Sequence, residues 1–234
     1  MKIILVMSNK GGVGKTTIAV NLAVALSKRK RVGLLDADIH GPNVPKMLGL
    51  EGKRLKVDGD KISPIQYNEN LFVVSVAFLL KDEKDAVIWR GPLKSKLIQQ
   101  FVQDIKWPEL DFLIVDLPPG TGDETITVMQ LLKENAASII VSTPQEVSLL
   151  DVKKALNMCR SFGIEVIGVI ENMSGKIFGS GNVKRFAEKE NVTFLGSIPL
   201  EAEISRSSDE GKPIAAGSSE LFTSIADKVI QFYK

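Results

Sequence analysis

Residues 8–17 read Ser8-Asn9-Lys10-Gly11-Gly12-Val13-Gly14-Lys15-Thr16-Thr17, gathering three glycines, two lysines and two threonines in ten positions. They follow the strand-like run 2–7 and open a helical pattern. Glycines allow successive backbone N–H groups to curl around phosphate oxygens, and a helix start adds partial positive charge. At this spacing Lys15 reaches the β- and γ-phosphates of a nucleoside triphosphate, and the Thr16 hydroxyl suits Mg²⁺. Gly11, Gly12, Val13, Gly14, Lys15, Thr16 and Thr17 are therefore the candidate nucleotide contacts. The usual spacing, Gly-x4-Gly-Lys-Ser/Thr, fails by one residue, because its first glycine is Asn9. Asparagine is among the least penalised residues where φ is positive, so the loop is expected to form. Lys10 is a second lysine within the loop, and spacing alone leaves it open to a solvated surface role.

Two acidic segments follow apolar runs. The first is Leu34-Leu35-Asp36-Ala37-Asp38-Ile39-His40-Gly41-Pro42-Asn43, and the second runs from Leu113 through Asp116 to Asp123. An aspartate closing a buried strand beside a phosphate loop can hold Mg²⁺ through water, and it sits where a hydrolytic water must be placed. Asp116, after the apolar residues 112–115, fits that description well. Pro118-Pro119-Gly120-Thr121-Gly122 makes a stiff turn with two glycine pivots, suited to sensing a γ-phosphate. Asp36 also reads as a strand-end turn or a helix cap. His40, the only histidine, reads as a loop residue without chemistry. One histidine and one cysteine cannot build a zinc centre within a chain.

These residues need a scaffold. Strands are expected at 2–7, 32–36, 72–76, 112–116, 137–142, 165–170 and 193–197, with helices near 15–29, 93–105, 124–134, 146–161, 182–190 and 218–233. Alternation of this kind gives an α/β fold whose mostly parallel sheet is covered on both faces. Right-handed crossovers then collect the loops at the carboxyl ends of the strands, where ligands bind. Residues 49–67, with Gly49, Gly52, Gly59, Pro64 and the turn Asp58-Gly59-Asp60, read as an inserted surface hairpin. Without repeats or linkers, the expectation is one domain over 1–234.

Composition narrows the role. The 44% hydrophobic and 25% charged fractions are those of a soluble globule. Net charge is 30 − 28 = +2, which gives no broad basic field for nucleic acid or an anionic membrane. The single cysteine, Cys159, excludes an intrachain disulfide and any metal site built from two cysteines of one chain. Its spacing with Val152, Ala155 and Leu156 marks a buried helix face. Lys28-Arg29-Lys30-Arg31 reads as a cationic helix end. Leu221, Phe222, Ile225, Ala226, Val229, Ile230 and Tyr233 share one face of the last helix; it lacks the lysine-rich polar face of a membrane-surface helix and is expected to pack on the core. No cleavable signal is evident, and the apolar run Leu71–Leu80 has about half the length needed to span a bilayer. The expectation is a cytoplasmic protein.

Lys10-Gly11-Gly12-Val13-Gly14-Lys15-Thr16 resembles the deviant phosphate loop of the MinD/ParA/ArsA-type ATPases. Asp36 to Asn43, Trp89-Arg90-Gly91-Pro92, Asp116 to Asp123, Val141-Ser142-Thr143-Pro144-Gln145, Glu171-Asn172-Met173-Ser174 and Leu195 to Leu200 resemble, in order, the Mrp-type iron–sulfur carrier ATPases of that class. The resemblance implies a three-layer P-loop NTPase fold with a mainly parallel twisted sheet flanked by helices. It implies slow, Mg²⁺-dependent hydrolysis of ATP to ADP by a homodimer. Lys15 and Lys10 would stabilise the transferring phosphoryl group, with Lys10 reaching the nucleotide of the facing subunit. Asp38 would place the attacking water. Thr16 would ligate Mg²⁺ directly, with Asp38 and Asp116 holding it through water. Asn172 would read the adenine edge, with Pro199, Leu200 and Glu201 closing the base pocket. Iron–sulfur assembly or acceptor proteins would be the partners. Arg90 would back the switch region or a subunit interface.

The chain departs from that pattern in one important way. Cluster-carrying members have a Cys-x-x-Cys between the Glu-Asn-Met-Ser segment and Ile-Phe-Gly; here Ser174 runs into Gly175-Lys176-Ile177-Phe178-Gly179. A dimer with one cysteine per chain offers two thiols where a bridging 4Fe–4S cluster takes four. A second departure is mild: Glu201-Ala202 stands where the family has Asp-Pro. Three roles remain open on sequence: an ATPase of iron–sulfur cluster assembly or transfer, an ATP-dependent dimerisation switch without a cluster, and a MinD/ParA-like positioning ATPase.

Overall fold

The computed structural model describes residues 1–59, 61–79, 98–99 and 101–234. Eight strands form one sheet: β1 (Lys2–Met7), β2 (Val32–Asp36), β5 (Ile65–Gln66), β6 (Leu71–Ser75), β7 (Phe112–Asp116), β8 (Ala136–Ser142), β9 (Glu165–Ser174) and β10 (Phe194–Pro199). Their order is β10-β9-β8-β1-β7-β2-β6-β5. Every pairing is parallel except that of the short edge strand β5 with β6. The expected α/β class is what forms.

The strands are apolar runs because both faces are covered. On one face Ile4 and Val6 pack with Ile18, Leu22 and Leu26 of the helix Lys15–Ser27, and with Phe222, Ile225 and Val229 of the helix Glu220–Phe232. On the other, Ile3, Leu5 and Met7 pack with Met129 of the helix Asp123–Leu132, Val152 and Leu156 of Glu146–Phe162, and Ala187 of Asn182–Glu190. The result is three layers. The helix Lys15–Ser27 is sheathed almost all round, so its interior Asn21 must find partners: it donates to the Thr17 carbonyl and accepts from the Ala215 N–H, both at 2.9 Å.

The expected insertion contains the two-stranded hairpin β3 (Lys56–Asp58) and β4 (Lys61–Ser63), although the end of 49–67 joins the main sheet as β5. Asp60, within the expected turn, lies outside the described residues, as do Leu80 and the segment Trp89-Arg90-Gly91-Pro92. Of the helix expected at 93–105, residues 98–99 and 101–103 are helical, and 93–97 and 100 lie outside. Three differences stand out. β9 continues to Ser174, past the expected end at 170. A helix at Ala202–Asp209 was not expected, since only Ile204 of its residues is buried and no apolar periodicity announces it. Leu221, assigned to the buried face of the last helix, is 44% exposed, while Phe222, Ile225, Ala226 and Val229 are buried. That helix packs on the core as expected.

Candidate nucleotide site

β1, β7 and β2 lie side by side at the centre of the sheet, and chain order reverses there, opening a crevice at their carboxyl ends. The loop after β1 carries Ser8 to Gly14. The loop after β7 is zipped onto it: the Leu117 N–H donates to the Val6 carbonyl (3.1 Å) and the Gly120 N–H to the Ser8 carbonyl (3.0 Å). The loop after β2 closes the third side. Between them is a cleft of about 210 Å³, lined by Ser8, Lys10, Gly11, Gly12, Val13, Gly14, Lys15, Thr16, Asp38, Asn43 and Pro119. A larger groove of about 610 Å³ lies between Lys28 and the last helix, at the far end of the helix Lys15–Ser27 from this chemistry.

Lys15 and Thr16, in the first turn of their helix, converge on Asp116 at the end of β7. The Lys15 ammonium lies 3.0 Å from Asp116 Oδ1, and the Thr16 hydroxyl donates to Oδ2 at 2.6 Å. Both Lys15 and Asp116 are buried. Burial pushes the Asp116 carboxyl above the usual carboxylate range, and the Lys15 charge and the Thr16 hydrogen bond pull it part of the way back. Gly14 caps this helix at φ 84° with its missing side chain against Asn172, whose amide donates to the Val13 carbonyl at 2.8 Å. Lys10 is exposed; the Ser8 hydroxyl bonds its carbonyl at 2.8 Å.

Asp38 stands on the cleft rim, half-buried, its Oδ1 accepting from the N–H groups of His40 (3.1 Å) and Gly41 (3.2 Å). Asp36, which the sequence left between turn and cap, is fully buried beside Asp116, its register partner on β7. Burial first, and the Asp116 charge second, push its carboxyl well above the ordinary range. His40 approaches Glu124 Oε1 at 3.4 Å, linking the loop after β2 to the first turn of the helix Asp123–Leu132.

Other expected positions fall elsewhere. Thr17 follows Thr16 in the helix and is not part of the cleft lining. Pro199 ends β10, two strands from β8 and beside β9, and Leu200 and Glu201 follow it; the Leu200 N–H donates to the Ser174 carbonyl at 2.8 Å. They share the strand-end edge with Asn172 but not the phosphate cleft. Asn9 does not take a positive φ; among the described residues only Met173 and Asn191 do so without being glycine. Its amide instead donates to Asp151 Oδ1 at 2.8 Å, fastening the loop to a neighbouring helix. Pro119, from the turn expected to sense a γ-phosphate, lines the cleft, as does Asn43, for which no role was expected. Asp36 had a visible signal, as the one charged residue closing the buried run 32–35.

Where cluster-binding cysteines would stand, Gly175 and Gly179 exchange N–H···O bonds at 2.8 Å in both directions and leave only Lys176, Ile177 and Phe178 between them. Cys159 is fully buried, 3.1 Å from the Ser138 hydroxyl and 3.3 Å from the Met7 sulfur. Burial raises its thiol pKa. Its surroundings do not suit an iron–sulfur ligand, which must be a thiolate open to its cluster. Among the described residues no group of three or more His, Cys, Asp or Glu side chains could hold a metal ion, and no helix is long and apolar enough to cross a membrane.

The sequence profile of the ParA group described as NUBPL iron-transfer P-loop NTPase matches residues 1–231. An iron–sulfur cluster carrier protein of Methanocaldococcus jannaschii is 46% identical, the match covering 97% of this chain and 83% of that protein. A protein of Aedes aegypti named cytosolic Fe-S cluster assembly factor Nubp2 homolog is 45% identical over 97% of this chain and 95% of its own length. Among solved structures, a nucleotide-binding protein of Archaeoglobus fulgidus in complex with ADP superposes with a TM-score of 0.81 at 36% identity, covering 94% of this chain and 90% of that one. The phosphate loop, the paired strand-end aspartates and these matches together place the chain in the iron-transfer P-loop NTPase family of iron–sulfur cluster carriers and assembly factors.

Proposed function

We propose that the chain works as one nucleotide domain over 1–234, in a cytoplasmic homodimer, hydrolysing ATP to ADP and phosphate in the service of iron–sulfur cluster assembly or transfer. The observation that carries this reading is the convergence of Lys15 and Thr16 on Asp116 at the floor of a glycine-lined cleft, with Asp38 on its rim. The family and the ADP-bound relative support it.

The amides of Gly11 to Thr16 and the Lys15 ammonium bind and orient the phosphates. Lys10, exposed at the mouth of the cleft, would serve a nucleotide across the interface of the proposed dimer. The Thr16 hydroxyl and the Asp116 carboxylate would hold Mg²⁺, a hard cation that takes oxygen ligands and needs few of them from protein. The chemistry it would supply there is positive charge against the β- and γ-phosphates. Asp38, braced by two backbone N–H groups, orients the water that attacks the γ-phosphorus as the bond to the bridging oxygen breaks. Asn172 and the strand-end residues Pro199, Leu200 and Glu201 are assigned the base. Phosphate release by the wild-type and Asp38→Ala proteins tests the scheme. The variant should bind ADP normally and hydrolyse ATP about 10²-fold more slowly; equal rates would remove Asp38 from its role.

A second reading is favoured by the burial of Cys159 and the closed Gly175–Gly179 turn: an ATP-driven switch that binds an assembly or acceptor protein without holding a cluster on its own thiolates. Anaerobic reconstitution with iron and sulfide should leave the purified dimer without stoichiometric visible absorbance. A stable band at one cluster per dimer would overturn this reading.

A further inference from the structure

Asp36 does not line the cleft, yet its side chain grips both ends of the loop that carries Asp38. Oδ1 accepts the Asp38 N–H at 3.2 Å, at the start of the loop. Oδ2 accepts the Val44 N–H at 3.4 Å, where residues 44–47 become helical, and the Ser75 hydroxyl at 2.9 Å. Ser75 is fully buried, is the register partner of Asp36 on β6, and is itself held by the Ala77 N–H at 3.2 Å. Ser75, Asp36 and Asp116 thus form a polar row across three neighbouring strands, β6, β2 and β7.

A buried carboxyl next to a second one is a costly side chain for a sheet centre. Two of its three bonds go to backbone groups of one loop, and the third braces it. Within the loop, Asp38 shapes its own turn through His40 and Gly41. Asp36 fixes where that turn stands on the sheet.

We infer that Asp36, braced by Ser75, is a positioning residue for ATP hydrolysis: it anchors loop 37–43 at both ends so that the Asp38 carboxylate faces the phosphate cleft. The inference rests on the ATPase reading above. A misplacement of about 1 Å in a reacting arrangement costs about 10²-fold in rate, so the effect belongs in kcat and not in nucleotide affinity, which the first loop supplies.

The test compares Asp36→Ala, Asp36→Asn, Ser75→Ala and Ser75→Thr for kcat and KM with ATP, ADP affinity by calorimetry, and amide hydrogen exchange across 38–44. Asp36→Ala should lower kcat by about tenfold to a hundredfold with ADP affinity little changed, and should speed exchange in 38–44. Asp36→Asn keeps the acceptor for the Asp38 N–H and should fall between. Ser75→Ala should show a smaller loss of the same kind, and Ser75→Thr, which restores the hydroxyl, should recover kcat and slow exchange; this pair decides the matter if Asp36→Ala does not fold. Wild-type kcat with unchanged exchange in Asp36→Ala, or in Ser75→Ala where that pair decides, overturns the inference, as do equal losses of affinity and kcat. A wild-type protein without Mg²⁺-dependent turnover would instead refute the ATPase reading, and the exchange data would still decide whether Asp36 holds the loop.

Discussion

Gly12 and Gly14 have nearly the same φ, 78° and 84°, but different surroundings. A Cβ on Gly12 meets nothing within 4 Å, whereas one on Gly14 would sit 2.1 Å from Asn172 Nδ2 and 3.4 Å from its Cγ. Alanine at either position suffers the left-handed strain of about 1–2 kcal/mol. At Gly14 it must also expel the Asn172 amide, which is 5% exposed and donates to the Val13 carbonyl at 2.8 Å. Losing that bond and leaving a buried polar group unpaired adds about 2 kcal/mol. At roughly 2–4 °C per kcal/mol for a domain of this size, Gly14→Ala should melt about 4–8 °C below Gly12→Ala. Differential scanning calorimetry of both variants measures the gap, and each should be repeated on an Asn172→Ala background. There the clash is gone, and the two glycine substitutions should cost the same. Equal melting temperatures in the wild-type background, or an excess that survives the loss of Asn172, would refute the reasoning.

Lys15→Ala should abolish ADP binding in a calorimetric titration and lower the melting temperature of the ligand-free protein. Breaking a buried pair costs up to about 3–5 kcal/mol, lessened here because Asp116 can take up a proton. Unchanged ligand-free stability would argue against the Lys15–Asp116 contact. Burial, and then the Glu165 charge, push the Tyr233 phenol up to about 12. A raised folded-state value means stability present below the ordinary tyrosine range and lost as pH climbs through 12. Absorbance at alkaline pH should show this late ionisation, and Tyr233→Phe should remove it; a single transition near the ordinary value in the wild type would contradict it. Cys159 should resist a thiol reagent until the protein is unfolded, given its full burial and raised pKa. Stoichiometric labelling of the native protein would show that the core opens.

The phosphate loop was legible because its chemistry is local: the glycines, Lys15 and Thr16 lie within one turn of chain between a strand and a helix. The same locality misled at Asn9, where backbone tolerance suggested a glycine-like conformation. The loop is held there by Asp151, 142 residues away, a partner no spacing rule reveals. Asp36 was ambiguous for a related reason. Its meaning depends on Ser75 and Asp116, brought alongside by strand register. The helix Ala202–Asp209 was missed because Ile204 is its single buried residue, so amphipathic patterning had nothing to repeat. Apart from β9, which runs four residues past its expected end into the polar stretch Glu171–Ser174, the expected strands were read within a residue or two, since a continuous apolar run marks them whatever their neighbours are.

The central place of β1 also governs when the site can come into being. β1 pairs with β7 and β8, Ile3 lying opposite both Leu113 and Ala136. On a ribosome adding about 5–20 residues per second, the first strand must wait several seconds for either neighbour. Until then its apolar residues have no sheet to enter, and the phosphate loop behind it has no β7 to supply Asp116. Pairings this distant in sequence close slowly. The nucleotide site is therefore a late product of folding, although its most recognisable residues are among the first to be made.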